Sequence, residues 1–404
     1  MQPATRHKTI CHSYYVLFGM LGGGLVPALI KSWEDTFRLS HAAMGLCISA
    51  AAVGFATAAV LGGIIYDRWG PRAVMTWTAG LTAVGAAALA LAPNRWTFLP
   101  ALIAFQIANG LGCCINALVG GLYGAQRARG VSLLHASQGL GRLIAPQMVA
   151  LSVLLWATWR PTFLLSAALM AAWAALFFVG LRDLPAHLDR PHAHRAHGGR
   201  PRPHWSVFLG LSGFVFVAGT EAGAVVWVPN YLESEVHLPK AQALLSLTWL
   251  MAGLTLMRLW LGFTRRRTGA RVIVPASLAA AGGLLAMRQV DTVLAAHALA
   301  LGLGVAFGGF WPCLTALLYD RVAHGHGLLT GGVIVTSAAG GMLVIPLMGY
   351  IGDVESLRAA LLLPAGAALL YMTTYVLYDV IAPRPPAAAP SLPPPQPGPD
   401  AWSA

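Results

Sequence analysis

Acid is what this chain has least of: 14 of its 404 residues are Asp or Glu, against 26 Lys or Arg. Charged residues of both signs make up 10% of it, where an average soluble domain carries about 25%. No nucleophile, base and orienting acid occur together. A phosphate-cradling GxxxxGK(S/T) loop and an HExxH metal pair are both missing. These absences speak against ATP-driven pumping and hydrolysis, so an enzyme is not expected. The five cysteines, at 11, 47, 113, 114 and 313, include no CxxC and no paired loop spacing. Neither a disulfide framework nor a zinc site is supported, and no cofactor is expected. Lys and Arg form no module interleaved with aromatics outside the apolar runs, so the +12 net charge does not point to nucleic acid.

Apolar sequence is what the chain has in excess: 57% of residues are hydrophobic and mean hydropathy is +0.66. A bilayer core about 30 Å thick takes roughly 20 apolar residues per helix. Twelve such runs occur, near residues 13–30, 41–66, 73–92, 97–124, 131–156, 161–181, 206–232, 241–263, 271–287, 292–318, 327–350 and 357–381. The first follows a basic start but lacks a small-residue cleavage pattern, so it reads as a span and not as a signal peptide. The expectation is an all-α integral membrane protein with twelve transmembrane helices.

Orientation follows from Lys and Arg in alternate loops. With the N-terminus inside, seventeen fall in cytoplasmic segments, among them Arg68, Arg72, Arg182, Arg267, Arg271 and Arg321. Seven fall outside, and Arg142 and Arg258 fall within spans. Both termini are expected in the cytoplasm, in a bacterial-type inner membrane, with the excess positive charge against anionic lipid. The longest charged stretch between spans, residues 182–205, divides a six-helix bundle at 1–181 from a second at 206–381. Its His192, His194 and His197 sit in a Pro/Gly-rich basic segment and read as linker, not metal site. Residues 382–404 form a proline-rich tail with almost nothing apolar to bury.

The two halves repeat. Gly63, Arg68, Gly70 and Arg72, between the second and third spans, recur 199 residues on as Gly262, Arg267, Gly269 and Arg271. Such a repeat of two six-helix halves is a transporter design. The first copy, G-x-x-x-D-R-x-G-x-R over residues 63–72, resembles the signature of the major facilitator superfamily. That resemblance implies two bundles rocking about a central site, most simply as a monomer, with the motif as a conformational latch. Locally, Gly63 lets its helix approach a neighbour, Gly70 closes a helix end and Pro71 suits a first turn. Asp67 offers a carboxylate to helix N-termini and nearby arginines. Arg266 replaces that acid in the second copy.

Two further stretches resemble the fucose permease branch of sugar and proton symporters. They are residues 133–146, with His135, Gly139, Gly141 and Pro146, and residues 219–232, with Glu221, Trp227 and Tyr231. That branch uses acids in helices 1 and 4 for the proton, and here both spans lack any. Glu221 is the one acid placed within the membrane, with Arg142 as its expected partner, since ionisable groups at that depth face a cavity or each other. His135, Gln138 and Arg142 share a helix face at i, i+3, i+7, as do Gln106, Asn109, Cys113 and Asn116 on the fourth span. His297, Gly304, Gly308, Trp311 and Thr315 follow compatible spacing on the tenth. In the superfamily helices 1, 4, 7 and 10 line the cavity, which implies that these faces point inward.

Two substrate readings stay open. Gln106, Asn109, Asn116, Gln138, Trp227 and Trp311 suit a neutral sugar, which needs planar amides and an aromatic platform. Arg142 suits a small organic anion. Glu221 and His135 are the candidates for proton coupling, and a sugar and proton symporter is the leading expectation. The bland alternatives are a structural Arg142–Glu221 pair, amides that only join helices and an Arg258 that braces the gate near the cytoplasmic end of its helix. A non-transporting receptor or lipid transporter of the same fold is the remaining class.

Overall fold

A computed structural model describes residues 3–124, 127–184, 205–263, 269–321 and 326–382. Among these all regular structure is helical. The first membrane helix, α1, runs through Pro3–Phe18, a π-helical turn at Gly19–Leu25 and Val26–Phe37. The element His41–Leu91 is two helices, α2 (41–69) and α3 (71–91), meeting at Gly70, whose φ of 77° and ψ of 169° break the spiral. Only glycine adopts that backbone readily, and Pro71 then starts α3 without needing an N–H donor. The expected end and start at this pair are therefore present.

Helix α4 spans Arg95–Tyr123 with a 3₁₀ turn at Gly112–Cys114, and α5 and α6 cover Arg127–Trp156 and Arg160–Gly180. The second bundle holds α7 (Ser206–Ser234), α8 (Lys240–Phe263), α9 (Gly269–Met287) and α10 in two pieces, Val293–Gly308 and Phe310–Arg321. It ends with α11 (His326–Val354) and α12, again in two pieces, Leu357–Ala360 and Leu362–Ile381. The interruptions of α4 and α10 fall at equivalent places, so the repeat extends to helix defects. Most of the linker (185–204), the tail from residue 383 and Arg267 lie outside the described residues.

Both described chain ends, together with Arg72, Arg182, Arg271 and Arg321, lie at one end of the bundles, here termed the basic end. At the opposite or far end, α2, α4, α10 and α12 each begin at a capping side chain: Ser40, Asn94, Thr292 and Ser356. Each side chain satisfies amides that the first turn leaves without partners. The long faces left exposed are apolar, as at Val60, Val84, Leu154 and Leu294, where lipid replaces water.

Small residues set the tightest packing. A Cβ on Gly141 of α5 would lie 1.8 Å from the Val16 carbonyl oxygen, and one on Gly19 would lie 2.1 Å from that of Gln138. This seam presses α5 against the π-helical part of α1. Gly63 does not take the role expected of it: it is exposed, with nothing within 4 Å of an added Cβ. Its neighbour Gly62 does, since a Cβ there would meet the Leu111 carbonyl oxygen at 2.8 Å. One helical residue is a 100° rotation, enough to exchange a packed position for an open one.

Candidate functional site

The bundles touch along α2 with α11 and α5 with α8, and α1 also meets α7. Between α2 and α11, a Cβ on Gly45 would come within 2.6 Å of Pro346 Cα, and the Ser49 hydroxyl donates to the Met342 carbonyl at 3.1 Å. Between α5 and α8, the Gln147 amide donates to the Thr248 hydroxyl. Three ionisable side chains meet near the middle of this second seam. Arg142 of α5 places Nη1 3.9 Å from Glu221 Oε1, and Arg258 of α8 places Nη2 3.4 Å from Glu221 Oε2. Glu221 stands on α7, so the carboxylate and one guanidinium belong to the second bundle and the other guanidinium to the first. Counted formally, two cations share one acid and the cluster carries +1.

Neither contact is closed. Charge-assisted N–H···O bonds run at about 2.7–2.9 Å, well below both distances. The Nε atoms of Arg142 and Arg258 are buried without a hydrogen-bond partner. Arg142 is seated by glycine: a Cβ on Gly23 would lie 2.4 Å from its Nε. Gly23 belongs to the π-helical turn of α1, and such turns often mark functional sites. The "GGG" of the sequence thus makes room for a guanidinium.

Arg258 corrects the sequence reading. It pairs with Glu221 of α7 in its own bundle and does not serve only as a brace near a helix end. Its helix ends at Phe263, where the apolar run also ends, so what the run by itself did not show is the partner, Glu221. The sequence signal was its position, as one of two basic residues within spans.

Other candidates are dispersed. His135 is exposed, with Nδ1 3.3 Å from Gln138 Oε1 and its ring edge-on to Tyr15 at 5.8 Å. Gln106 Oε1 and Asn116 Oδ1 have no partner, but the Asn116 amide donates to the Cys113 carbonyl and that of Asn109 to the Phe105 carbonyl. Asn109 is almost fully buried and satisfies its own helix. Trp227 is fully buried, its indole N–H donated to the Ile345 carbonyl at 3.0 Å, so it offers no open platform. Trp311 is part-exposed, edge-on to Phe214 at 5.5 Å. His297 faces the Gln242 carbonyl within its own bundle. A group that sequence reasoning missed lies nearer the basic end: His12 Nε2 is 3.0 Å from the Tyr123 hydroxyl, and His12 Nδ1 is 3.4 Å from the Ser137 hydroxyl.

The far end holds a second correction, for α1 does carry acids. It continues to Phe37, and Glu34 on it is 4% exposed. Glu34 Oε1 lies 2.8 Å from His41 Nδ1, while Oε2 accepts from the Asn230 amide at 2.8 Å. Asp353 of α11 accepts from the His41 and Ala42 backbone amides, both at 2.8 Å. First and second bundles are thereby clasped at the far end.

The motif residues lie at the basic end. Asp67, Arg68 and Arg271 are exposed, and Gly269 has a φ of 36°. Arg72 donates from Nε to the Phe178 carbonyl at 2.8 Å, and its guanidinium covers the Phe178 ring at 4.3 Å. In this conformation Arg72 holds α6 of its own bundle.

A family model described as Major Facilitator Superfamily matches residues 13–326. The chain belongs to the Major Facilitator Superfamily. That family is one of multi-pass membrane transporters and not of enzymes. The "Hexuronate transporter" of Bacillus subtilis (strain 168) is 27% identical over 154 residues, 38% of this chain and 36% of that protein. The "Niacin transporter NiaP" of Acinetobacter baylyi is 28% identical over 155 residues, 37% of this chain and 34% of that one. The chain thus matches about a third of the length of these curated relatives.

Solved structures agree over nearly all of it. A bacterial homolog of the human lysosomal transporter Spinster, inward-facing and occupied, superposes with a TM-score of 0.74 at 15% identity. It covers 94% of this facilitator and 98% of its own chain. A D-xylose–proton symporter gives 0.72 at 17% identity, covering 93% and 96%. At such identities the likeness establishes the fold: twelve helices as two pseudo-symmetric six-helix bundles.

Proposed function

We propose that this facilitator carries a small organic anion, with a carboxylate of the substrate held between Arg142 and Arg258. The observation that carries the reading is the unbalanced cluster: two guanidiniums from opposite bundles share one loosely held carboxylate, and each keeps a buried Nε unpaired. A second carboxylate neutralises the formal +1 and supplies the acceptors that the first leaves wanting. Hexuronates and niacin both carry that group, and transporters of each are among the relatives. A neutral sugar has less to hold it, because Trp227 is enclosed and the amides of Asn109 and Asn116 are taken by their own helices.

Alternating access follows from the same charges. A substrate bridging Arg142 and Arg258 draws the bundles together, and its release returns both arginines to Glu221. Glu221 then stands in for substrate while the empty carrier resets. Proton coupling through Glu221, with His135 on the exposed side, is the extension of this scheme. Both termini sit in the cytoplasm of a bacterial-type inner membrane, in the orientation favoured by the Lys/Arg count, and the unit is a monomer.

Reconstituted vesicles test this with labelled glucuronate, nicotinate and xylose. Carboxylate counterflow that falls in both Arg142→Gln and Arg258→Gln is expected. Movement of xylose alone, or equal loss for xylose and carboxylates in both variants, overturns it.

A further inference from the structure

Two grooves on the lipid-facing sides of the bundles are unused by the transport cycle above. The larger, about 600 Å³, lies where α2, α3 and α6 meet at the basic end and is walled by Trp69, Arg72, Trp77, Phe178 and Arg182. The smaller, about 410 Å³, lies among α8, α9 and α10, with Trp260, Arg271, Pro275 and Val305 in its wall. Arg72 and Arg271 are the repeat-related pair, 199 residues apart. Each bundle thus carries a groove built on the same arginine of the same turn, and no Asp or Glu lines either one.

The geometry points to a glycerophospholipid with an anionic headgroup, one in each groove, its phosphate on the repeat-related arginine and its chains on the tryptophans. In the first groove Arg72 is fixed before any ligand arrives, since its Nε bonds the Phe178 carbonyl and its plane covers that ring. A guanidinium so held recognises phosphate with little ordering left to be done. Arg182 adds a second, mostly exposed cation. Its acidic neighbour Asp183 lies 2.6 Å from Arg6 and 3.4 Å from Arg182, so its charge is shared between those two cations, with Arg6 the nearer.

Tryptophan supplies the other half. Trp69, Trp77 and Trp260 are each more than half exposed, and the first two rings meet at 5.8 Å. Indoles at the ends of spans sit at headgroup level. From Arg72 to Trp77 is five residues, about 7.5 Å along a helix, the depth at which glycerol gives way to acyl chain. That apolar continuation is what a lipid has and a free phosphate lacks. The segment 185–204 is also near the groove in sequence, but it carries Arg190, Arg195, Arg200 and Arg202. Its charge repels Arg72 and Arg182, whereas an anionic headgroup complements them.

The test is native mass spectrometry of the full chain, delipidated in detergent and titrated with phosphatidylglycerol or phosphatidylcholine of identical acyl chains. Two phosphatidylglycerol molecules retained in preference to phosphatidylcholine are expected. Arg182→Ala or Trp77→Ala should remove one, and Trp260→Ala the other. Equal retention of the two lipids, or two tight sites surviving in all three variants, overturns the assignment. These exposed residues are chosen because Arg72 also holds α6, and each variant is checked for an unchanged size-exclusion profile. A photoreactive side chain in place of Trp77 gives an independent readout: capture of phosphatidylglycerol supports the proposal, and capture of residues 185–204 overturns it.

Discussion

Asn230 of α7 donates its amide to Glu34 of α1 at 2.8 Å, and both residues are at least 96% buried. The bond joins the two bundles at the end opposite the chain termini, with His41 on the other oxygen of the same carboxylate. A hydrogen bond to a charged group contributes about 1.5–3 kcal/mol, roughly a tenfold or greater bias between two conformations. Asn230→Ala is therefore expected to shift the population toward opening at the far end. Spin labels on the exposed far-end residues Arg95, at the start of α4, and Asp291 report it as a longer inter-bundle distance. An unchanged distance distribution removes the clasp from the gating scheme.

Glu221 separates net movement from exchange. With Glu221→Gln the empty carrier keeps two cations and no acid between its bundles, and that charge opposes its return. Counterflow should persist while net uptake falls at least tenfold in the same vesicles. Equal loss of both would make the residue a structural partner only.

Gly23 and Gly22 give a matched pair on the π-helical turn. A methyl group at Gly23 lies 2.4 Å from Arg142 Nε, the end of a flexible side chain, while one at Gly22 meets nothing within 4 Å. Displacing Arg142 from its rotamer costs about 0.5–1.5 kcal/mol. Gly23→Ala should weaken carboxylate binding several-fold by isothermal titration, and Gly22→Ala should not. Equal affinities would show that Arg142 has room to move without loss.

Gly70 is held at a φ of 77°, and Gly63 stands exposed within a helix. Gly70→Ala is expected to cost about 1–3 kcal/mol, seen as a lower thermal midpoint in detergent. Gly63→Ala should leave the midpoint unchanged or raise it, since alanine favours a helix over glycine by about 1 kcal/mol. A destabilised Gly63→Ala protein would restore the close packing that the motif alone suggested.

Much of the architecture was legible because a bilayer imposes a simple rule: apolar runs of one length, bounded by basic or capping residues. The break at Gly70 and Pro71 was also legible, since only glycine fits the backbone and proline needs no donor. The central pair was partly legible. Arg142 and Glu221 stand out as charges in greasy sequence, and the structure brings them to 3.9 Å.

Glu34 was not legible, because the apolar pattern of α1 fades before its helix ends and the residue reads as part of a loop. Arg258 was visible as a charge within a span, but its pairing with Glu221 was not, because two helices must dock before their side chains meet. Asn109, Asn116 and Trp227 were legible as polar or aromatic groups in spans. Whether such a group faces the cavity or satisfies a nearby carbonyl depends on side-chain rotation and neighbour distance, which periodicity does not carry.

The sequence by itself determined that this chain crosses a membrane twelve times as two repeated halves, because hydropathy and local backbone preference are properties of consecutive residues. Tertiary structure alone decided that Arg258 joins Arg142 at Glu221 and that Asn230 reaches Glu34. Those contacts link residues 37 to 196 positions apart, and the docking of whole helices, not local propensity, sets their distances.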